Sequence, residues 1–263
     1  MNTPFLLAAK FQKVVVALVV SIALAACGAK DPVLFDSDTL RVTLLSSGGT
    51  NVYIVDRNDK RIMIDSGNPG DEQVFEAMML EQGISPDSID YLILTHAHLD
   101  HAGTAAYFQE KWGIPVIGGA GDQPMLDKEG QADICPTGLL AELIRWMGKG
   151  RSYRSLQLDI PIAGDGEFDL AELGIEGKIL PLPGHTEGSL VIIFDDQVFV
   201  GDLIRGSLTG AEEPATHFFM CDLADNRVRI GELLNDPELQ RWHPGHMGSF
   251  NVDAVRAYLD ESS

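Results

Sequence analysis

The stretch Thr95-His96-Ala97-His98-Leu99-Asp100-His101-Ala102-Gly103 decides how this chain is read. Directly before it stands Tyr91-Leu92-Ile93-Leu94, an apolar run that reads as a short buried strand. On an extended chain leaving a strand, residues two apart point the same way, so His96 and His98 can grip one ion. Asp100 and His101 then turn toward a neighbouring position. Imidazole and carboxylate are donors that zinc accepts, and iron and manganese accept them too.

Working outward, three apolar, β-branched runs precede the segment: Arg41 to Leu45, Asn51 to Asp56 and Arg61 to Asp65. Ser46-Ser47-Gly48-Gly49 and Arg57-Asn58-Asp59 separate them, which predicts hairpin-connected strands. Ala29 to Asp38 is expected to be a polar spacer. Asp71 to Gln82, with Val74, Ala77, Met78 and Leu80, predicts a helix ended by Gly83. Ala102 to Trp112 predicts a helix, and Pro115 to Ile117 a strand. Residues 120–160 break the pattern. Gly121 to Pro136 is loop-like, and Leu139, Leu140, Leu143, Ile144, Trp146 and Met147 then form a helical apolar stripe. The stripe is read first as core packing, with a cap over the site as the alternative. Strand patterns return at Glu167 to Leu170, Gly177 to Leu182, Ser189 to Phe194 and Gln197 to Val200. Helical patterns close the chain at Asp225 to Leu234 and Val252 to Leu259. This order predicts an α+β fold, a four-layer helix/sheet/sheet/helix sandwich with its loops gathered along one edge.

The chain has 263 residues and a formal net charge of −20. A surface so acidic repels phosphate backbones, and no Lys/Arg cluster stands out, so nucleic acid is a poor partner. Residues 1–26 read as a leader: Lys10 and Lys13 precede the apolar run Val14 to Ala26, which is shorter than the roughly 20 residues that span a bilayer. The run ends in Leu24-Ala25-Ala26-Cys27, which resembles the lipobox of bacterial lipoproteins. That resemblance implies cleavage before Cys27 and its acylation, a lipid anchor to the membrane. It also implies a place in the cell envelope; Gly28 permits outer-membrane sorting, facing the periplasm. Cys135 and Cys221 then remain, and an oxidising compartment would allow them to pair. The expected organisation is a leader at 1–26, a spacer at 27–38 and one catalytic domain at 39–263.

Further landmarks follow in order: Ile64-Asp65-Ser66-Gly67, Pro183-Gly184-His185-Thr186-Glu187-Gly188-Ser189, Val200-Gly201-Asp202 and His243-Pro244-Gly245-His246-Met247-Gly248. Together with HxHxDH, they resemble the motifs of the metallo-β-lactamase superfamily, from Leu40 to the C-terminus. Coincidence would have to place five of only seven histidines as ordinary polar residues. The resemblance implies a first metal held by His96, His98 and His185, and a second by Asp100, His101 and His246. Asp202 bridges them, and Asp65 is either a partner that holds a ligand in place or a plain turn aspartate. His243 and His217 are read as structural, with a substrate-facing role as the alternative for His217.

A site of that kind would hold two divalent ions, zinc first, with iron or manganese accepted. It implies a metal-bridging hydroxide that cleaves an activated acyl bond, with Asp100 orienting the nucleophile and moving a proton. The partner is then a small-molecule acyl substrate: lactone, thioester, ester or β-lactam. Asp202 resembles the glyoxalase II and lactonase branches, since true metallo-β-lactamases usually carry Cys or Ser there. Ala97 departs from the His-His-His usual in glyoxalase II, and no C-terminal glutathione-binding helical domain follows His246. Alternatives are a mononuclear iron oxidoreductase of the persulfide dioxygenase type, a phosphodiesterase of the same superfamily and a non-catalytic binding lipoprotein.

Overall fold

The computed structural model describes residues 32–130, 134–148 and 150–261, apart from the side chains of 147 and 148. The leader and Cys27 lie outside the described residues. Alternation of side chains builds two sheets. In the first, β1 (Val33–Asp36), β2 (Leu40–Ser47), β3 (Thr50–Arg57) and β4 (Lys60–Ile64) run antiparallel. Then β5 (Tyr91–Ile93), β6 (Val116–Gly119) and β7 (Ile160–Ile162) continue it in parallel. Helix α1 (Glu72–Glu81) connects β4 to β5, and α2 (Ala105–Trp112) connects β5 to β6. The second sheet has the order β15-β14-β11-β10-β9-β8. Its strands are β8 (Phe168–Asp169), β9 (Lys178–Pro181), β10 (Leu190–Phe194), β11 (Gln197–Gly201), β14 (Arg241–Pro244) and β15 (Phe250–Asn251). A small hairpin, β12 (Arg205–Gly206) and β13 (Pro214–Ala215), leads toward α5 (Leu223–Leu233), and α6 (Val252–Glu261) follows β15.

Period-two patterning sorts the core into three seams. On β3, Val52 and Ile54 face α1 and α2, where they meet Phe75, Met79 and Phe108. Tyr53 and Val55 face the other sheet and meet Ile192, Phe194 and Phe199. On β10 the same alternation sends Val191 and Ile193 toward Ile230 and Leu233 of α5 and Val255 of α6. Four layers result, as the order of elements predicts. Truncating a fully buried residue between the sheets, such as Phe199, would cost about 3–5 kcal/mol. Arg57 adds a polar clasp: its guanidinium bonds both carboxylate oxygens of Asp195 at 2.7 and 2.8 Å and Glu176 at 2.8 Å.

Three expectations need correction. The spacer 27–38 contains strand β1, because Val33 and Phe35 can half-bury against β2. The loop Gly121 to Pro136 contains a short helix, α3 (Gln123–Asp127), started by Pro124 in its first turn and held by the buried Leu126. The apolar stripe does lie on a helix, α4 (Leu139–Gly148), but it is not core. Leu139 is 92% exposed and Trp146 62% exposed, Leu140, Leu143 and Ile144 also face outward, and only Ala141 among the helix's described apolar side chains is buried. The side chain of Met147 lies outside the described residues. A helix can be apolar on one face with no sheet surface left to receive it.

Candidate metal centre

The site forms where strand ends from both sheets meet. β5 ends at Ile93 and releases Thr95 to His101 toward the edge. Asp65, just after β4 and at φ 60°, takes up the backbone N–H of Thr95 at 2.7 Å. Its other oxygen accepts from Thr95 Oγ1 at 2.8 Å and from His101 Nδ1 at 2.8 Å. This is the geometry of a partner that fixes an imidazole, turning His101 Nε2 toward the centre. His185 stands on the loop after β9, Asp202 directly after β11, and His246 beyond β14. Gly245 N–H bonds Gly201 O at 2.8 Å, which ties the last two segments together. From the first sheet, Asn51 bonds the carbonyls of Pro244 at 3.0 Å and Met247 at 2.7 Å.

Every histidine predicted at the site converges there. His96, His98 and His185 form one set of donors, and Asp100, His101 and His246 another. Asp202 lies between them. Its Oδ2 is 3.7 Å from His96 Nε2, 3.5 Å from His185 Nε2 and 3.3 Å from His246 Nε2, and its Oδ1 is 3.4 Å from His101 Nε2. His98 Nδ1 and His185 Nε2 face each other at 2.8 Å. His246 Nε2 is 3.3 Å from Asp100 Oδ2. The outer nitrogens are anchored away from the centre: His185 Nδ1 on the carbonyl of Phe219 at 2.9 Å, His246 Nδ1 on that of Gly49 at 2.9 Å. Gly245 is required here, because a Cβ would overlap His101 Cε1 and Asp202 Oδ1.

The donor set fits divalent metal. His96 Nε2, His217 Nε2 and Asp202 Oδ1 are buried and have no hydrogen-bond partner. Leaving one such group unpaired costs about 1–3 kcal/mol, so several gathered about one carboxylate call for an electrophile among them. Two donors on one ion at 2.0–2.2 Å stand roughly 3–3.5 Å apart, which matches these separations.

The electrostatics split the cluster. Burial, reinforced by neighbouring imidazoles, holds His96 well below the usual histidine range, and burial lowers His98 to about 4. Burial also opposes the charged form of His101, but Asp202, Asp65 and Asp100 outweigh it and raise that group well above its usual value. For His246, burial again opposes, and Asp202 and Asp100 carry it up to about 10. Asp202 and Asp100 are pulled down in turn: burial favours their neutral forms, and the surrounding histidines win.

Two residues at the site went unassigned in the sequence reading. His217, read as structural with a substrate-facing role as the alternative, places its Nε2 3.0 Å from Asp202 Oδ2. The only hint was its loop, which follows Asp202. Asp122, in the loop-like stretch, is buried beneath the ligand loops. Its Oδ2 accepts from Ala97 N–H at 2.8 Å and Thr186 Oγ1 at 2.9 Å, and its Oδ1 from Gly188 N–H at 2.8 Å. Burial raises its pKa against those three donors. It ties the backbone between His96 and His98 to the loop that carries His185. His243, by contrast, is structural as expected: buried, bonded to Ser249 and Gln197, and stacked on Phe199.

Beside His98 and His185 opens a cleft of about 470 Å³, lined also by Pro124, Met125, Lys128, Asp222 and Arg229. Cys221 also lines it and is joined to Cys135 by a disulfide.

A family model for the metallo-beta-lactamase superfamily matches residues 46–249. The chain belongs to that superfamily. Among relatives in this superfamily, a probable metallo-hydrolase of Bacillus subtilis, YqgX, is 29% identical over 171 residues, 62% of this chain and 72% of the relative. A hydroxyacylglutathione hydrolase of Halorhodospira halophila is 25% identical across 66% of this chain but only 50% of its own length, so the chain spans about half of that enzyme. Among solved structures, the subclass B3 metallo-beta-lactamase BJP-1 of Bradyrhizobium japonicum aligns with a TM-score of 0.55 at 16% identity, over 83% of this chain and 80% of that one. A protein named TTHA1623, solved in a di-iron-bound form, gives 0.57 at 24% identity, over 82% and 96%. The superfamily makes this chain an enzyme of the metal-dependent hydrolase class, and its fold one that binds divalent metal.

Proposed function

We propose that the protein is a dinuclear hydrolase, with zinc as its ion, that cleaves an activated acyl bond outside the cytoplasm. The carrying observation is Asp202, whose carboxylate stands between His96 and His185 on one side and His101 and His246 on the other. His96, His98 and His185 would hold one ion, and Asp100, His101 and His246 the second. Two divalent ions so held supply hydroxide near neutral pH and polarise a substrate oxygen. The residues do the rest. Asp65 and the carbonyls of Phe219 and Gly49 keep His101, His185 and His246 turned inward. Asp100, partly exposed and held as a carboxylate, would orient the nucleophile and later relay its remaining proton to the leaving group. The acyl–oxygen, acyl–sulfur or acyl–nitrogen bond breaks, and a carboxylic acid and a protonated leaving group result. No serine or cysteine nucleophile is needed.

The substrate class is a small acyl compound, a lactone, thioester, ester or β-lactam, seated in the cleft beside His98 and His185. An apolar acyl chain fits the exposed stripe on α4, which the Cys135–Cys221 disulfide and Thr137 fasten to the loop at 217–221. The lipobox-like Leu24-Ala25-Ala26-Cys27 and the disulfide support an acylated protein in the oxidising cell envelope.

The test is metal analysis of the purified mature protein beside a panel of lactones, thioesters, esters and a β-lactam. Two metals per chain and turnover abolished in His98→Ala are expected. Fewer than one metal per chain, or unchanged turnover in that variant, refutes the mechanism. A single iron with oxygen consumption instead assigns persulfide-dioxygenase-like chemistry. Acyl-chain preference unchanged by Leu140→Ser and Trp146→Ser removes α4 from the substrate site.

A further inference from the structure

His217 has no place in either ligand set taken from the sequence, yet it is built like a member. We propose that His217 is an additional metal ligand, joining Asp202 and His185 in holding the ion on the His185 side of the centre. The inference rests on the metal-centre reading above.

Four observations carry it. His217 is buried, and its Nε2 finds no hydrogen-bond partner. That nitrogen nevertheless lies 3.0 Å from Asp202 Oδ2, close but misaligned for a hydrogen bond, which is how two donors sharing one ion sit. Its Nε2, an Asp202 oxygen and a His185 nitrogen lie mutually within 4.8 Å. Finally, its other nitrogen is held as that of His185 is. His185 Nδ1 lies 2.9 Å from the carbonyl of Phe219, and His217 Nδ1 lies 3.1 Å from the same oxygen. One carbonyl thus orients two imidazoles whose Nε2 atoms point at Asp202, the outer support that ligating histidines use. The Phe219 N–H donates to His217 Nδ1 at 3.2 Å when that nitrogen carries no proton, so the ring can present either tautomer to its neighbours. An ion there places the proton on Nδ1, facing the carbonyl.

The ring is also braced where a ligand needs to be. It stacks on His246 at 5.5 Å and meets His185 edge-on at 4.9 Å. Thr137 donates to the His217 carbonyl at 2.8 Å, and the Cys135–Cys221 disulfide closes the loop nearby. No substrate-facing function is needed to explain so much support for one imidazole.

The experiment uses the full mature protein loaded with cobalt(II). Each coordinated imidazole shows one paramagnetically shifted, solvent-exchangeable N–H resonance, and six are expected, from His96, His98, His101, His185, His217 and His246. His217→Phe, which keeps the aromatic contacts, should lose one resonance and weaken one ion more than about 100-fold in chelator competition, beyond what losing an outer partner costs. Five resonances in the unaltered protein, or metal affinity in His217→Phe within threefold, overturns the proposal. Turnover lost with six or five resonances unchanged between the two proteins also overturns it, and makes His217 a donor to substrate. The metal-to-protein ratio of the unaltered protein tests the dinuclear reading separately: a ratio of one with a resonance lost in the variant keeps His217 as ligand and refutes the pair.

Discussion

Asp122→Asn changes one atom of a buried carboxylate and should disturb both halves of the site. In the native protein three donors converge on it: Ala97 N–H and Thr186 Oγ1 on Oδ2, and Gly188 N–H on Oδ1. An asparagine can keep its oxygen for the first two, but its amide then presents hydrogens to the N–H of Gly188. One hydrogen bond to a charged acceptor, about 1.5–3 kcal/mol, is lost, and the other two weaken to neutral strength. Relief of the buried charge, the cause of the raised Asp122 pKa, offsets part of this. The net loss is about 1–3 kcal/mol. Because Ala97 lies between His96 and His98, and Gly188 follows His185 closely, the first ion should also weaken about 10–100-fold. Urea unfolding of the metal-free proteins reads the first effect, and competition with a chelator reads the second. Asp122→Ala leaves the N–H groups of Ala97 and Gly188 unpaired, while Thr186 Oγ1 keeps Ser189 Oγ at 2.9 Å, and should cost more than Asp122→Asn. Stability within about 0.5 kcal/mol of the unaltered protein together with unchanged metal affinity refutes this account, and so does an alanine variant no worse than the asparagine.

Other outcomes follow from the same geometry. Gly245→Ala forces a methyl group into His101 and Asp202, so the purified variant should carry less metal by elemental analysis while keeping its far-ultraviolet circular dichroism. Cys135→Ser opens a cross-link 86 residues long, worth about 4–5 kcal/mol in the loop-closure limit, so its melting temperature should fall and stop responding to reductant. Burial keeps His243 neutral, with a pKa lowered to about 3, whereas the unfolded chain protonates it near 6.5. Its contribution is therefore complete above about pH 6.5 and is lost as pH falls toward 3. In metal-free protein, His243→Gln should flatten the acid limb of stability against pH by up to about 1.36 kcal/mol per pH unit.

Much of the fold was legible because its central strands are continuous apolar, β-branched runs. Asn51 to Asp56 and Ser189 to Phe194 are such runs and sit within a residue or two of β3 and β10. Elements without a run of that length were missed. Val33–Asp36 is four residues long, and its apolar part, Val33 to Phe35, is too short a run among polar neighbours to announce a strand. The stripe on α4 shows the converse: amphipathic spacing predicts a helix but does not say whether a surface exists to cover its face. At the site, residues with a motif announced themselves, since His96, His98 and His101 are spaced along one chain. Asp122 and His217 reach it only through tertiary contacts, across 64 residues from Asp122 to Thr186 and by the loop after β13 to Asp202. Local pattern carries no trace of such pairings.

The centre draws on Asp65 near one end of the fold and His246 near the other, with Asn51 holding the final loop in place. Neither sheet alone owns a complete set of donors. The full donor set therefore closes only when contacts separated by much chain have formed. Filling of the whole site is a certificate of finished topology. A molecule that has failed to join its two sheets would lack the spectrum of cobalt(II) held by the complete donor set, so that spectrum counts native molecules in a mixed sample.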